Sequence, residues 1–202
     1  MKTATPKTAL LVIDAQESFR SRPYWQPEEL PAFLANTQRL IDGCRERGIA
    51  VLQIFHQEPG EDVSNPFHPA SGLVRAMPEL KLVADAVFYK EVHSALYGKT
   101  SGGVTLEKWL RDHGVEEILV TGIRTEQCCE TTTRHASDVG FKVRFATDAT
   151  LTFPMRSRAG RTFSSAEIRE RTELVLDERF ARIVSAAEAL GPDSAVSTAV
   201  RT

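Results

Sequence analysis

Two cysteines stand side by side in "VTGIRTEQCCETTTRHA", at positions 128 and 129. The segment reads as a strand, a tight turn and a helix. Thr125 is placed as the N-cap, its hydroxyl accepting from a first-turn amide. That puts Cys128 in the first turn, where outward amides and the helix dipole favour an anion and lower a thiol's pKa. Cys129 lies one step round the helix, in line with Thr133 and Ala136, a small-residue stripe suited to packing on a sheet. Cys128 is therefore assigned to chemistry and Cys129 to packing, against the commoner role of a free helical cysteine as a small buried hydrophobe. Two more reactive residues close strands. Asp14 ends "TALLVID" and Lys90 ends "DAVFYK". The aspartate is a general base for the thiol proton, or else a turn cap. The lysine is an ion-pair partner for Asp14 that favours the thiolate, or else a solvated side chain.

The elements that must position these residues follow from hydrophobic period. "TALLVID", "IAVLQIF", "DAVFYK", "EEILVTG" and "FKVRFATDA" are apolar runs of strand length. Their continuous rather than alternating character suits strands buried on both faces. Between the first two, Leu30, Phe33, Leu34, Thr37, Leu40, Ile41 and Cys44 recur at helical spacing, with Gly48 as the cap beyond. Cys44 thereby falls in the core. "TLEKWLRDHG" reads as a helix. Ser164 and Glu167 have capping-box spacing before a helix whose Ile168, Thr172, Val175 and Leu176 share a face. "ARIVSAAEAL" reads as a last strand and short helix. The stretches "SFRSRPYWQPEELP" and "HQEPGEDVSNPFHPASG" read as loops. Alternating strand and helix predicts an α/β fold, a three-layer doubly wound, mostly parallel sheet with helices on both faces. In such sheets ligands bind beyond the carboxyl ends of the strands, where Asp14, Lys90 and Cys128 all fall.

Composition narrows the function. The chain has 202 residues, 42% hydrophobic and 26% charged, with a formal net charge of -2. One domain over 1–190 with a tail over 191–202 is expected. The charge gives no electrostatic case for nucleic acid or an anionic membrane surface. No apolar run approaches the roughly 20 residues of a membrane span, and the opening residues lack a signal peptide's apolar core. A cytoplasmic location is expected. The odd count of three cysteines reads as reduced thiols.

Together the pieces "LLVIDAQESF", "YKEVHSALYGKT" and "LVTGIRTEQCCETTTRHASDVGFKVRFATDA" resemble the isochorismatase-like cysteine hydrolases. That superfamily includes nicotinamidases, N-carbamoylsarcosine amidohydrolases, biuret hydrolases and ureidoacrylate hydrolases. The resemblance implies an isochorismatase-like, Rossmann-like fold and a catalytic triad of Asp14, Lys90 and Cys128. It implies a cis peptide between Ile123 and Arg124, and an oxyanion hole made by the backbone amides of Arg124 and Cys128. It implies thiolate attack on an amide or ureido carbonyl through a thioester, with no cofactor, in a homo-oligomer. Position 124 is usually small in this family. Arg124 here either holds an anionic substrate group or packs at the subunit surface. Phe19, Tyr24, Trp25 and Phe67 are candidates for an aromatic substrate wall or for subunit contacts. Nicotinamidases carry a compact Asp-x-His metal pattern that is missing here, although His56 and His68 are present, so no metal is expected. Two alternatives differ in class. One is a vinyl-ether hydrolase of the isochorismatase type, which generally lacks the cysteine. The other is a non-catalytic α/β binding module. Against nucleotide binding, neither G-x-G-x-x-G nor a complete P-loop occurs.

Overall fold

The computed structural model describes residues 7–191. The tail expected over 191–202 lies, apart from Gly191, outside them. Six strands form one sheet in the order β3-β2-β1-β4-β5-β8. They are β1 (Thr8–Ile13), β2 (Ala50–His56), β3 (Ala86–Lys90), β4 (Glu117–Ile123), β5 (Lys142–Leu151) and β8 (Arg182–Val184). Every pairing in this sheet is parallel, so the expected "mostly parallel" becomes wholly parallel. Strands β6 (Met155–Arg156) and β7 (Thr162–Phe163) make a separate small hairpin that the apolar pattern did not signal. Both are too short and exposed to carry a hydrophobic period.

Alternate residues of β1 supply two cores. Leu10 and Val12 join Phe33, Leu40, Ile41 and Cys44 of α1 (Leu30–Glu46), and Ala186 and Ala189 of α5 (Ala186–Ala189). Ala9, Leu11 and Ile13 join Leu106 and Leu110 of α2 (Leu106–Asp112), Ala136 of α3 (Glu130–Asp138) and Leu176 of α4 (Ser165–Leu176). Burial on both faces is why β1 reads as unbroken apolar sequence. The helix signals are local chemistry. Gly48 stops α1 at φ 65°, and Ser164 with Glu167 forms a full capping box on α4. The segment after β1 differs from the loop expected there. Glu17–Ser21 winds into a short 3₁₀ turn that buries Phe19.

The sheet's strand order reverses direction between β1 and β4, the topological switch point where such folds open a crevice. One glycine lets these two strands meet tightly there. Gly122 pairs with Ile13 and has φ 137°. A Cβ on it would stand 1.9 Å from the Ile13 carbonyl oxygen. Gly122→Ala is therefore expected to cost about 3 kcal/mol or more, from backbone strain plus the clash. Thermal unfolding should show a fall of about 6 °C or more in Tm for a chain of this size. An unchanged Tm would refute this role for the glycine.

Candidate active site

Asp14, Lys90 and Cys128 converge at the carboxyl ends of β1, β3 and β4. Lys90 Nζ donates to Asp14 Oδ2 at 2.8 Å and to Cys128 Sγ at 3.3 Å. The Asp14 and Lys90 side chains have no exposed surface. Asp14 Oδ1 is also buried and takes no hydrogen bond among the described residues. Asp14 sits at φ 53°, a left-handed conformation that aspartate tolerates better than most residues. Its amide donates to Ile54 O at 2.9 Å, which ties the strand end to β2.

The turn that carries the cysteines differs from the helix start expected for it. Thr125–Cys129 is a wide π-type turn, with the Cys129 amide reaching back to Arg124 O at 3.2 Å. Thr125 is not its cap. The Thr125 hydroxyl instead donates to Thr150 Oγ1 at 2.8 Å, pinning the turn to β5. The hydroxyl found a buried acceptor across the sheet, a long-range pairing that spacing along the chain does not reveal. The peptide between Ile123 and Arg124 is cis. Cys129, Thr133 and Ala136 are all buried.

The electrostatics of Cys128 also depart from the lowered pKa expected at a helix start. Burial, and then the Asp14 carboxylate, push this thiol above its ordinary value, and Lys90 pulls it back only in part. Burial works against the Lys90 ammonium too, yet Asp14 and Cys128 hold its pKa above the ordinary lysine value. Cys44 is pushed up to about 11 by burial, against a smaller lowering by Arg144 and Arg47. A high pKa opposes losing the proton to solvent. Moving that proton from Cys128 to Asp14 leaves the total charge of the buried cluster unchanged, so burial does not penalise it in the same way.

The candidate substrate residues fall into two groups. Phe19 and Phe67 are buried and pack edge to face at 5.0 Å, and Phe67 meets the ring of His56 at 5.7 Å. They are interior residues rather than exposed loop aromatics. Tyr24 and Trp25 are half-buried and both pack on Phe153. The Arg124 guanidinium lies over Tyr24 at 4.8 Å and Phe153 at 5.8 Å, and pairs with Glu126 at 2.8 Å. Arg124 is thus buried against its own chain with its charge already balanced.

Two residues of this region were missed as site residues. Gln16 is buried, accepts from the His56 amide at 2.8 Å and donates to His56 O at 3.0 Å. His56, at the end of β2, brings Nδ1 to 3.4 Å from Lys90 Nζ. Its position closing "IAVLQIFH", level with the end of "DAVFYK", was the available signal. His68 lies elsewhere, with Nδ1 accepting from the Ala70 amide and Nε2 facing Gly60 O. Among the described residues no group of three His, Cys, Asp or Glu stands close enough to hold a metal, and no helix is long and apolar enough to cross a membrane.

The isochorismatase domain matches residues 8–187, and the chain belongs to that family. Among its relatives, the uncharacterized isochorismatase family protein YrdC of Bacillus subtilis is 26% identical over 185 residues, covering 89% of this chain and 92% of that one. Nicotinamidase 3 of Arabidopsis thaliana is 35% identical over 157 residues, covering 72% of this chain and 73% of that one. Of the solved structures, an isochorismatase-family protein from Chromobacterium violaceum superposes with a TM-score of 0.79 at 29% identity, covering 94% of this chain and 95% of that one.

Two measurements check the electrostatics. Lys90→Met strands a buried carboxylate, so urea unfolding should show a loss of about 3–5 kcal/mol, partly recovered when Asp14→Leu is added. A loss below about 1 kcal/mol would mean that the pair is solvated. The second concerns His56, whose pKa burial and Lys90 hold below 6.5. The unfolded chain then binds this proton more readily, so its contribution to stability is present above 6.5 and is lost as pH falls through the folded value. Urea midpoints should drop more steeply on acidification in wild type than in His56→Asn.

Proposed function

We propose that the chain is a cysteine hydrolase that cleaves a C–N bond of a small amide or ureido compound through a thioester. One observation carries the reading: a buried lysine shared between a carboxylate at 2.8 Å and a thiol at 3.3 Å, at the carboxyl ends of the strands. The amide activity that gives the Arabidopsis relative its name supports the same bond type. No cofactor takes part, and the working unit is a homo-oligomer, as the family resemblance implies.

The steps use the chain's own groups. Asp14, whose Oδ1 is buried and takes no hydrogen bond among the described residues, accepts the Cys128 proton. Cys128 Sγ attacks the carbonyl carbon, and the oxygen gains negative charge as the C–S bond forms. The backbone amides of Arg124 and Cys128 hold that oxyanion. Asp14 returns the proton to the substrate nitrogen, the C–N bond breaks, and ammonia or an amine leaves. Water then gives a proton to Asp14 and attacks the thioester, the C–S bond breaks, and Cys128 recovers its proton. Lys90 keeps its charge throughout and stabilises whichever of Asp14 and Cys128 is the anion. A raised thiol pKa suits this sequence, because the resting site then holds a neutral thiol facing a ready base.

Phe19 and Phe67 pack behind His56, and Trp25 packs on Phe153, so these aromatics support the site rather than contact substrate directly. Arg124, already paired with Glu126 and stacked on Tyr24 and Phe153, is not a free anion clamp. Ammonia release from a panel of small amides, carbamoyl amines, ureido acids and biuret tests the proposal. Cys128→Ala should lower kcat/KM roughly 10³-fold or more. Asp14→Asn should lower it roughly 10²-fold or more, while leaving the thiol in place. Ammonia release that survives Cys128→Ala would overturn Cys128 as the nucleophile, and a protein that releases none from any amide yet cleaves a vinyl ether in an Asp14-dependent way would replace this reading with ether hydrolysis.

A further inference from the structure

Lys90 has three N–H bonds to place inside the protein. One donates to Asp14 Oδ2 and one to Cys128 Sγ, and the third faces His56 Nδ1 at 3.4 Å. This third contact follows from the topology. β2 lies between β1 and β3, and His56 is in register with Lys90. The lysine must therefore pass over His56 to reach Asp14.

We propose that His56 is a positioning residue, which in its neutral form accepts the third N–H of Lys90 and so holds the ammonium between Asp14 and Cys128. This rests on reading those three residues as one catalytic unit. The environment selects the tautomer needed. His56 Nε2 faces Glu58 Oε1 at 3.4 Å, which calls for the proton on Nε2 and leaves a lone pair on Nδ1. Glu58 is kept anionic. Partial burial raises its pKa, but Asn65, donating at 2.7 Å, and Arg22 at 3.3 Å hold it below the usual range. The imidazole has little freedom to turn away. Gln16 holds the His56 backbone at both its N–H and its carbonyl, and the ring rests against Phe67.

The charged groups around the ring are therefore Lys90 and Asp14 on one side, and Glu58 backed by Arg22 on the other. Protonated His56 would offer Lys90 no lone pair and would set a second cation against it. Burial and Lys90 both oppose that protonation. At neutral pH the acceptor is in place. As pH falls below 6.5 toward the depressed value, Lys90 loses it. Because Glu58 also donates its amide to Phe67 O at 2.9 Å, the same contact ties the lysine to the loop that follows β2.

The test reads the cysteine directly, without a substrate. Cys128 is alkylated with iodoacetamide over about pH 5–9, a range spanning ordinary histidine titration, and the modified peptide is quantified by mass spectrometry. Wild type is compared with His56→Asn, whose Oδ1 offers an acceptor near the place of Nδ1, and with His56→Leu, which offers none. His56→Leu should slow alkylation at neutral pH roughly tenfold, the size of losing one hydrogen bond to a charged group. His56→Asn should recover most of that rate and lack the wild-type fall in rate on the acid side of 6.5. Equal rates for all three proteins, or one shared pH profile after scaling, would overturn the proposal by reducing His56 to a packing residue. If His56→Leu does not fold, the acid limb of His56→Asn against wild type decides the matter by itself. Failure of every amide to release ammonia would instead count against the hydrolase reading and would leave this readout intact.

Discussion

Lys90 carries a charge where its side chain has no exposed surface. An ammonium without water must be matched by a carboxylate and by acceptors for its hydrogens, or the fold loses several kcal/mol. That requirement organises the centre of the molecule. β1 must end in Asp14, β3 in Lys90, and the turn after β4 must bring Cys128 to the remaining side of the ammonium. Gly122 lets β4 lie close enough to β1 for this, and Thr125 pins the turn to β5 through Thr150. Gln16 fastens the chain beyond Asp14 to the end of β2. Together these contacts hold the strand ends in place around the ion pair.

The same burial sets the electrostatics of the thiol. An exposed catalytic cysteine relies on a lowered pKa and a standing fraction of thiolate. Here burial and the nearby carboxylate raise the thiol's pKa. In the proposed mechanism donor and acceptor share one cluster of neutral total charge, and the proton moves within the site rather than leaving it. Lys90 makes this exchange feasible because it contacts both groups and need not move when the negative charge passes from one to the other. Arg124 shows the complementary strategy. Its guanidinium is balanced by Glu126 and stacked on Tyr24 and Phe153, so the pair adds no net charge beside the site.

Much of this was legible in the amino-acid order because it depends on local rules. Continuous apolar runs marked the buried strands, Ser164 and Glu167 marked a helix start, and reactive side chains at strand ends marked the crevice. Cys44 in its apolar stripe was readable as core. What escaped depends on pairing across the sheet. Thr125 has the chemistry of a cap, but its hydroxyl met Thr150, 25 residues away. His56 looked like a loop histidine until the register of β2 against β3 set it beside Lys90. Phe19 and Phe67 sit in stretches rich in turn residues, and only their mutual packing shows them to be interior. Spacing along one chain does not encode such partners.

The proposed mechanism requires that Cys128 become covalently acylated. The direct measurement is the mass of the intact protein after acid quench during turnover of its best amide, followed by peptide mapping. Acylation predicts a species heavier by the substrate's acyl group, without its ammonia or amine, located on Cys128 and absent from Cys128→Ala. Turnover with no adduct on Cys128, or with the acyl group on another residue, would contradict it.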